Sequence, residues 1–189
     1  GLLLDTSATA VRVVHAAFRV GARLVPLNVR LTAGELAAQA ARVDLDALVC
    51  SGATADAARA IDAPALSVDP ADGVRALADE APATVDPPER TFDDVRLLLF
   101  TSGTTGEPKA VRVTGRNVLA SAVASAFRLG VTPGDRWLAT LALHHTGGVA
   151  PLYRAAVYGT AVVLRESFDA AGVLADLREH GATGVSLVP

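Results

Sequence analysis

A chain of 189 residues, 51% hydrophobic and 20% charged, suits one domain with a substantial core or a piece of a larger one. Its net charge of −3, its scattered arginines and its few aromatics (two Tyr, five Phe, one Trp) exclude a nucleic-acid surface or an anionic-membrane patch. A single cysteine excludes an internal disulfide framework and a cysteine-rich metal site, and no apolar run approaches the length of a membrane span.

In chain order, residues 1–5 read as a strand. Residues 8–20 place Val11, Val14, His15 and Phe18 at helical spacing and close at Gly21. Residues 22–28 read as a second strand. Thr32 and Glu35 form a capping box that opens a helix to about residue 43. A strand at 47–50, a short Ala-rich helix near 54–61 and a strand at 65–69 follow. Residues 81–90, APATVDPPER, are the one Pro-rich linker. Beyond it come strands at 95–100 and 110–114, a helix at 117–129 closed by Gly130, and a strand at 136–143. The chain then continues as a helix at 148–158, a strand at 160–166, a helix at 169–180 and a strand at 184–189.

Strands alternating with longer helices predict an α/β fold with a largely parallel sheet flanked by helices. The linker, closing by residue 92, divides the chain into an αβ segment over 1–80 and a second segment over 93–189. Cys50 sits in an apolar strand pattern, where a small buried thiol is the expected role. With no signal sequence in view, a cytoplasmic location is expected. The chain has no methionine, opens on an apolar run and stops just after a strand pattern, so it is expected to be a fragment.

Between two of the strands lies TSGTTGEPK, residues 101–109, with three Thr, one Ser and two Gly in nine residues. Glycines let successive backbone N–H groups turn toward one concavity, hydroxyls add donors without net charge, and a lysine supplies a point charge. A polyphosphate needs that set. A polar turn between two strands uses the same residues, so the bland reading stays open. Two features weigh against it: the loop is longer than a hairpin needs, and Lys109 is the only lysine in a chain whose other long basic residues are all arginine. The Walker pattern fails, because Lys109 stands three residues after Gly106 rather than directly behind it.

The string resembles the phosphate-loop signature of the adenylate-forming enzymes, which include acyl-CoA synthetases, luciferase-like ligases and peptide-synthetase adenylation domains. It matches from Thr101 to Lys109 without a gap, and departs at Ala110, where that family usually has glycine. Upstream, the A-x-x-x-x-G-A-x-x-V-P-L-N pattern and the T-x-x-E-L helix start are similar to the family's N-terminal segment. Downstream, S-A-x-x-S-A, L-G-x-x-x-x-D-x-W-L, R-x-x-x-Y-G and E-x-F-D resemble the o-succinylbenzoate–CoA ligase branch of menaquinone biosynthesis. The resemblance makes 1–189 part of a large N-terminal AMP-binding domain, with 93–189 as its phosphate-loop and acyl-pocket segment.

That resemblance implies an ATP-dependent acid–thiol ligase (AMP-forming). A carboxylic acid is joined to AMP and then transferred to CoA, with ATP and Mg²⁺ as cofactors and the Mg²⁺ ligands mostly outside this chain. It assigns Thr101, Ser102, Gly103, Thr104, Thr105, Gly106 and Lys109 to the ATP phosphates, with Lys109 and His145 catalytic. Neither nucleic acid nor a membrane span is implied, and a homodimer is left open. The catalytic lysine of the missing C-terminal part has no counterpart here, so the chain alone is expected to be inactive or weakly active. Another acyl-CoA synthetase, a peptide-synthetase adenylation domain or a non-catalytic nucleotide-binding module are the alternatives.

The second constellation is ALHHTGG, residues 142–148. The resemblance places His145, Gly147 and Gly148 on the substrate side, where an imidazole donates to a carboxylate or phosphate and the glycines expose helix N-terminal N–H groups. The alternative is a strand end closed by two histidines, with Thr146 as N-cap. A metal site is not expected, since neighbouring residues on a strand point to opposite faces. His15 and His180 read as structural. Arg154 and Tyr158, one helical turn apart, either border a pocket and face a carboxylate or pack against the sheet. Ser121 and Ser125 share a helix face suited to close packing.

Overall fold

The computed structural model describes residues 1–84, 86, 88–101 and 108–188. Its elements run β1 (Leu2–Leu3), α1 (Ala8–Val20), α2 (Ala33–Ala41), β2 (Leu48–Cys50), α3 (Ala55–Ala58), β3 (Ala65–Ser67), β4 (Arg75–Ala76), β5 (Val95–Thr101), β6 (Lys109–Thr114), α4 (Gly115–Leu129), β7 (Arg136–Ala139), α5 (Thr146–Tyr158), β8 (Ala161–Leu164), α6 (Ala170–Glu179) and β9 (Gly184–Val185). Short 3₁₀ turns precede α3 and follow β4.

Strands β1 to β4 lie side by side in parallel. The expected strand at 22–28 is reduced to two parallel bridges, Leu2 to Pro26 and Leu24 to Leu97. Pro26 has no N–H, which breaks a regular ladder at that point. The segment still joins its neighbours. Leu2 donates to the Val25 carbonyl and Leu27 to that of Leu2, while Leu24 donates to the Arg96 carbonyl and Leu98 to that of Leu24. Hydrogen bonding thus runs on from β1 through residues 24–27 to β5, which pairs antiparallel with β6. A separate parallel sheet has the order β8-β7-β9. The parallel expectation holds for every described pair except β5 with β6.

Side chains alternate across the first sheet and feed two cores. Leu2, Leu4, Leu24, Leu97 and Leu99 enter one with Val14 of α1 and Val149 and Leu152 of α5. Leu3, Val25, Leu27 and Leu48 enter the other with Leu36 and Ala40 of α2 and Ala58 of α3, and Leu98 and Phe100 pack against it. A sheet buried on both faces explains why its strands read as unbroken apolar runs. Helix α5 also packs on β7 and β8, and so lies between the two sheets.

Several boundaries shift for local reasons. Helix α4 starts at Gly115 rather than 117, because Thr114 caps it and exchanges hydrogen bonds with Asn117 in a capping box. The strand expected over 136–143 stops at Ala139, and the Thr140 hydroxyl instead donates to the Ser186 carbonyl at 2.8 Å. Helix α5 begins at Thr146 with His145 as N-cap, so Thr146 is not the cap. The strand expected at 184–189 is Gly184–Val185, and strand β4 had no counterpart in the sequence reading. Cys50 is fully buried in β2, and burial raises its thiol pKa.

Candidate active site

In parallel α/β sheets, ligands gather outside the carboxyl ends of the strands. Strand β5 runs parallel to residues 24–27 and ends at Thr101, which pairs in register with Lys109 at the start of β6. Both are exposed and stand at the same edge of the sheet as Asn28 and Arg30. Ser102, Gly103, Thr104, Thr105 and Gly106 lie outside the described residues. The antiparallel pairing of β5 with β6 brings the single lysine back beside the end of β5.

A cleft of about 310 Å³ opens at this edge. The ends of four segments wall it: Asp5 and Thr6 after β1, Asn28 and Arg30 after the bridging segment, residues 140–145 after β7, and Glu166, Ser167 and Phe168 after β8. His144 and His145 are both in the wall. Between β7 and α5 the chain turns tightly, with the His145 N–H on the Ala142 carbonyl at 3.1 Å. Because residues 140–145 are not a strand, the two imidazoles are not on opposite faces. Their ring centroids are 4.1 Å apart, tilted by 51°. The geometric objection to a metal therefore fails here. Among the described residues, however, no three His, Cys, Asp or Glu side chains converge as a ligand set.

The two imidazoles differ. His144 is half-buried, and its pKa is lowered to about 4, first by burial and then by His145 and Arg30. It is neutral at pH 7, and such a ring can donate from one nitrogen and accept at the other. His145 is exposed at the start of α5. Gly148 donates to the His145 carbonyl at 3.0 Å, so its N–H is engaged within the turn. A Cβ on Gly148 would overlap the Ala142 carbonyl, and one on Gly147 would crowd Leu141. These glycines let α5 start flush against its own preceding turn.

Arg154 and Tyr158 border a different cavity of about 110 Å³ between α4, α5 and β7, lined also by Ser125, Leu129, Val131 and Trp137. It lies toward the amino end of β7, away from the histidines. The Arg154 guanidinium lies 4.5 Å from the centre of the Trp137 ring and donates to the Ser125 hydroxyl at 2.9 Å. The Tyr158 hydroxyl donates to the Ala122 carbonyl, which ties α5 to α4. Ser125 lines this cavity and holds Arg154 by a hydrogen bond rather than by close packing. Ser121 is exposed, so the packing expectation fails there too. His15 lines an apolar groove beside α5, and His180 closes α6 while its carbonyl accepts from Arg136.

Asp5, Thr6, Arg30 and Thr140 carry no sequence motif, and Asn28 and Glu166–Phe168 fall within resemblance motifs without being marked as site residues. The signal was available: each group directly follows an apolar run, and a parallel sheet places all such ends on one edge.

A family model described as AMP-binding enzyme matches residues 1–189. Over 187 residues the chain is 36% identical to a 2-succinylbenzoate–CoA ligase of Bacillus velezensis, covering 99% of this chain and 37% of that protein. Among solved structures it is similar to O-succinylbenzoate coenzyme A synthetase from Bacillus subtilis in complex with AMP, with TM-score 0.87 and 33% identity over 98% of this chain and 48% of that one. The same synthetase in complex with ATP and magnesium ion gives a TM-score of 0.85 and 32% identity over 97% of this chain and 48% of that one. The chain thus spans well under half the length of the curated ligase it matches. On the strength of the match across its whole length, it belongs to the AMP-binding enzyme family.

Proposed function

We propose that this chain carries the phosphate-loop and acyl-side part of an ATP-dependent acid–CoA ligase, with o-succinylbenzoate as the acid. In the first half-reaction the acid's carboxylate oxygen bonds to the α-phosphorus of ATP and the α–β phosphoanhydride breaks, releasing pyrophosphate. In the second, the CoA thiolate attacks the acyl carbon and AMP leaves. The obstacle in the first step is repulsion between two anions, so catalysis rests on positioning and on neutralising charge.

The placement of the groups carries this reading. Lys109 and Thr101 end their hairpin at the same sheet edge where Arg30, His144 and His145 wall a cleft. Lys109, with residues 101–106, would hold the β- and γ-phosphates and offset charge on the leaving pyrophosphate. His145 would donate to the acid or to a phosphate oxygen. Mg²⁺ has no ligand set among the described residues and would enter bound to ATP. The relatives' names support the acid and the thiol, and the Bacillus subtilis complex supports ATP with magnesium. Residues 1–80 and 93–189 would act as two segments of one N-terminal domain joined by the linker, and the chain alone would form thioester slowly or not at all.

The test is Mg·ATP binding and acid-dependent pyrophosphate release, measured for the wild-type protein and for Lys109→Ala. Loss of a charge-assisted hydrogen bond weakens ATP binding about tenfold or more, with little change in Tm because Lys109 is exposed. Unchanged affinity refutes the role of Lys109. ATP binding with no thioester from any of a panel of acids even in the full-length protein selects a non-catalytic nucleotide-binding module, and preference for another acid selects a different ligase.

A further inference from the structure

The R-E-S-F-D stretch between β8 and α6 has a structural role that the cleft alone does not explain. Arg165 directly follows β8, and its guanidinium reaches in two directions. One arm donates to Asp176 on α6, Nη1 to Oδ2 at 2.7 Å, and the other to Asp169, the N-cap of α6. The Arg165 and Asp176 side chains are only 19% and 18% exposed, against 57% for Asp169, so the Asp176 arm is the better shielded from water. Asp169 also caps α6 by accepting from the Gly172 N–H at 2.7 Å. A Cβ at Gly172 would run into the guanidinium, so the helix start is fitted to this arginine.

One planar cation thus pins both ends of residues 166–168. Those three residues, Glu166, Ser167 and Phe168, line the cleft that holds His144 and His145, whereas Arg165 does not. We propose that Arg165 is a positioning residue: by bridging Asp169 and Asp176 it fixes residues 166–168 as one wall of the His144–His145 cleft. This rests on reading that cleft as the substrate site. A guanidinium suits the task because its donors diverge in a rigid plane, whereas an ammonium is a single point charge on a flexible stem.

Asp176→Asn and Asp169→Asn test it in the 189-residue chain. Each removes one carboxylate charge with almost no change of shape, and Asn at 169 keeps a capping acceptor. In both variants, backbone ¹⁵N order parameters of residues 166–168 fall below about 0.6, while those of α1 and β2 stay at about 0.85. The His144 titration midpoint, followed by NMR, moves up from about 4 toward the ordinary histidine range as the wall loosens and water reaches the ring. Arg165→Lys gives an intermediate effect on both. Two results overturn the proposal: order at 166–168 and the His144 midpoint both unchanged, or order lost uniformly across the chain with the midpoint fixed. A parallel titration with o-succinylbenzoate tests the cleft separately. Wild-type protein that ignores the acid counts against the ligase reading, while the order parameters and titration still decide the clamp.

Discussion

His144 and His145 are neighbours in the chain with different surroundings, and pH separates them. His144 stays neutral in the folded protein down to about pH 4 because burial disfavours its charged form, with His145 and Arg30 adding to the effect. In the unfolded chain the same ring takes up a proton near the ordinary value of about 6.5. Between those pH values the unfolded state binds more protons, so stability falls as pH drops from about 6.5 to about 4 and loses nothing more from this group below that. We expect an NMR titration midpoint near 4 for His144. We further expect His144→Phe to flatten that part of the stability profile in urea melts, and an identical slope in both proteins would exclude the assignment. The sequence pointed to His145 as the ligand-facing ring and gave His144 no role beyond closing a strand end. It could not show that both line one cleft, since the burial of His144 depends on segments more than a hundred residues away.

At the scale of elements, capping decides where helices begin. Thr114 accepts from the Asn117 N–H at 3.2 Å, and the Asn117 side chain accepts from the Thr114 N–H at 3.0 Å. Thr114→Ala should cost about 1 kcal/mol in urea unfolding, whereas Thr114→Ser should be close to neutral. Equal stability of wild type and Thr114→Ala would mean that packing against α5 alone sets the start of α4. The Thr32–Glu35 box was legible because glutamate at the fourth place is the usual partner. The α4 box was not, since asparagine there is less diagnostic and the helix was placed from Asn117 onward. Strand ends were the least legible. Thr140 leaves the β7 ladder to bond the Ser186 carbonyl, a partner 46 residues away that no local pattern announces.

For the whole molecule, one sheet serves two cores. Leu97 is 1% exposed on β5 and packs with Leu2, Leu24 and Val149. Leu97→Ala should therefore cost about 2–5 kcal/mol, the range for deleting a buried leucine side chain. Leu36 and Leu152 lie in opposite cores, so Leu36→Ala and Leu152→Ala should destabilise additively to within about 0.5 kcal/mol. A larger coupling energy would show that strain crosses the sheet. Both are read from urea midpoints at constant slope.

The α/β class, the parallel bias, most helices and the phosphate-loop string were written in the sequence. Periodicity, caps and glycine-rich turns act over a few residues, and a gapless nine-residue string identifies its family without coordinates. Tertiary structure alone decided that residues 24–27 bridge β1 and β5 and that Arg154 faces a separate cavity. It also decided that Arg165 bridges Asp169 and Asp176 and that the two imidazoles share one cleft. Each of these depends on which distant backbone supplies a hydrogen-bond partner or excludes water, and that pairing is fixed only when the sheets close around their cores.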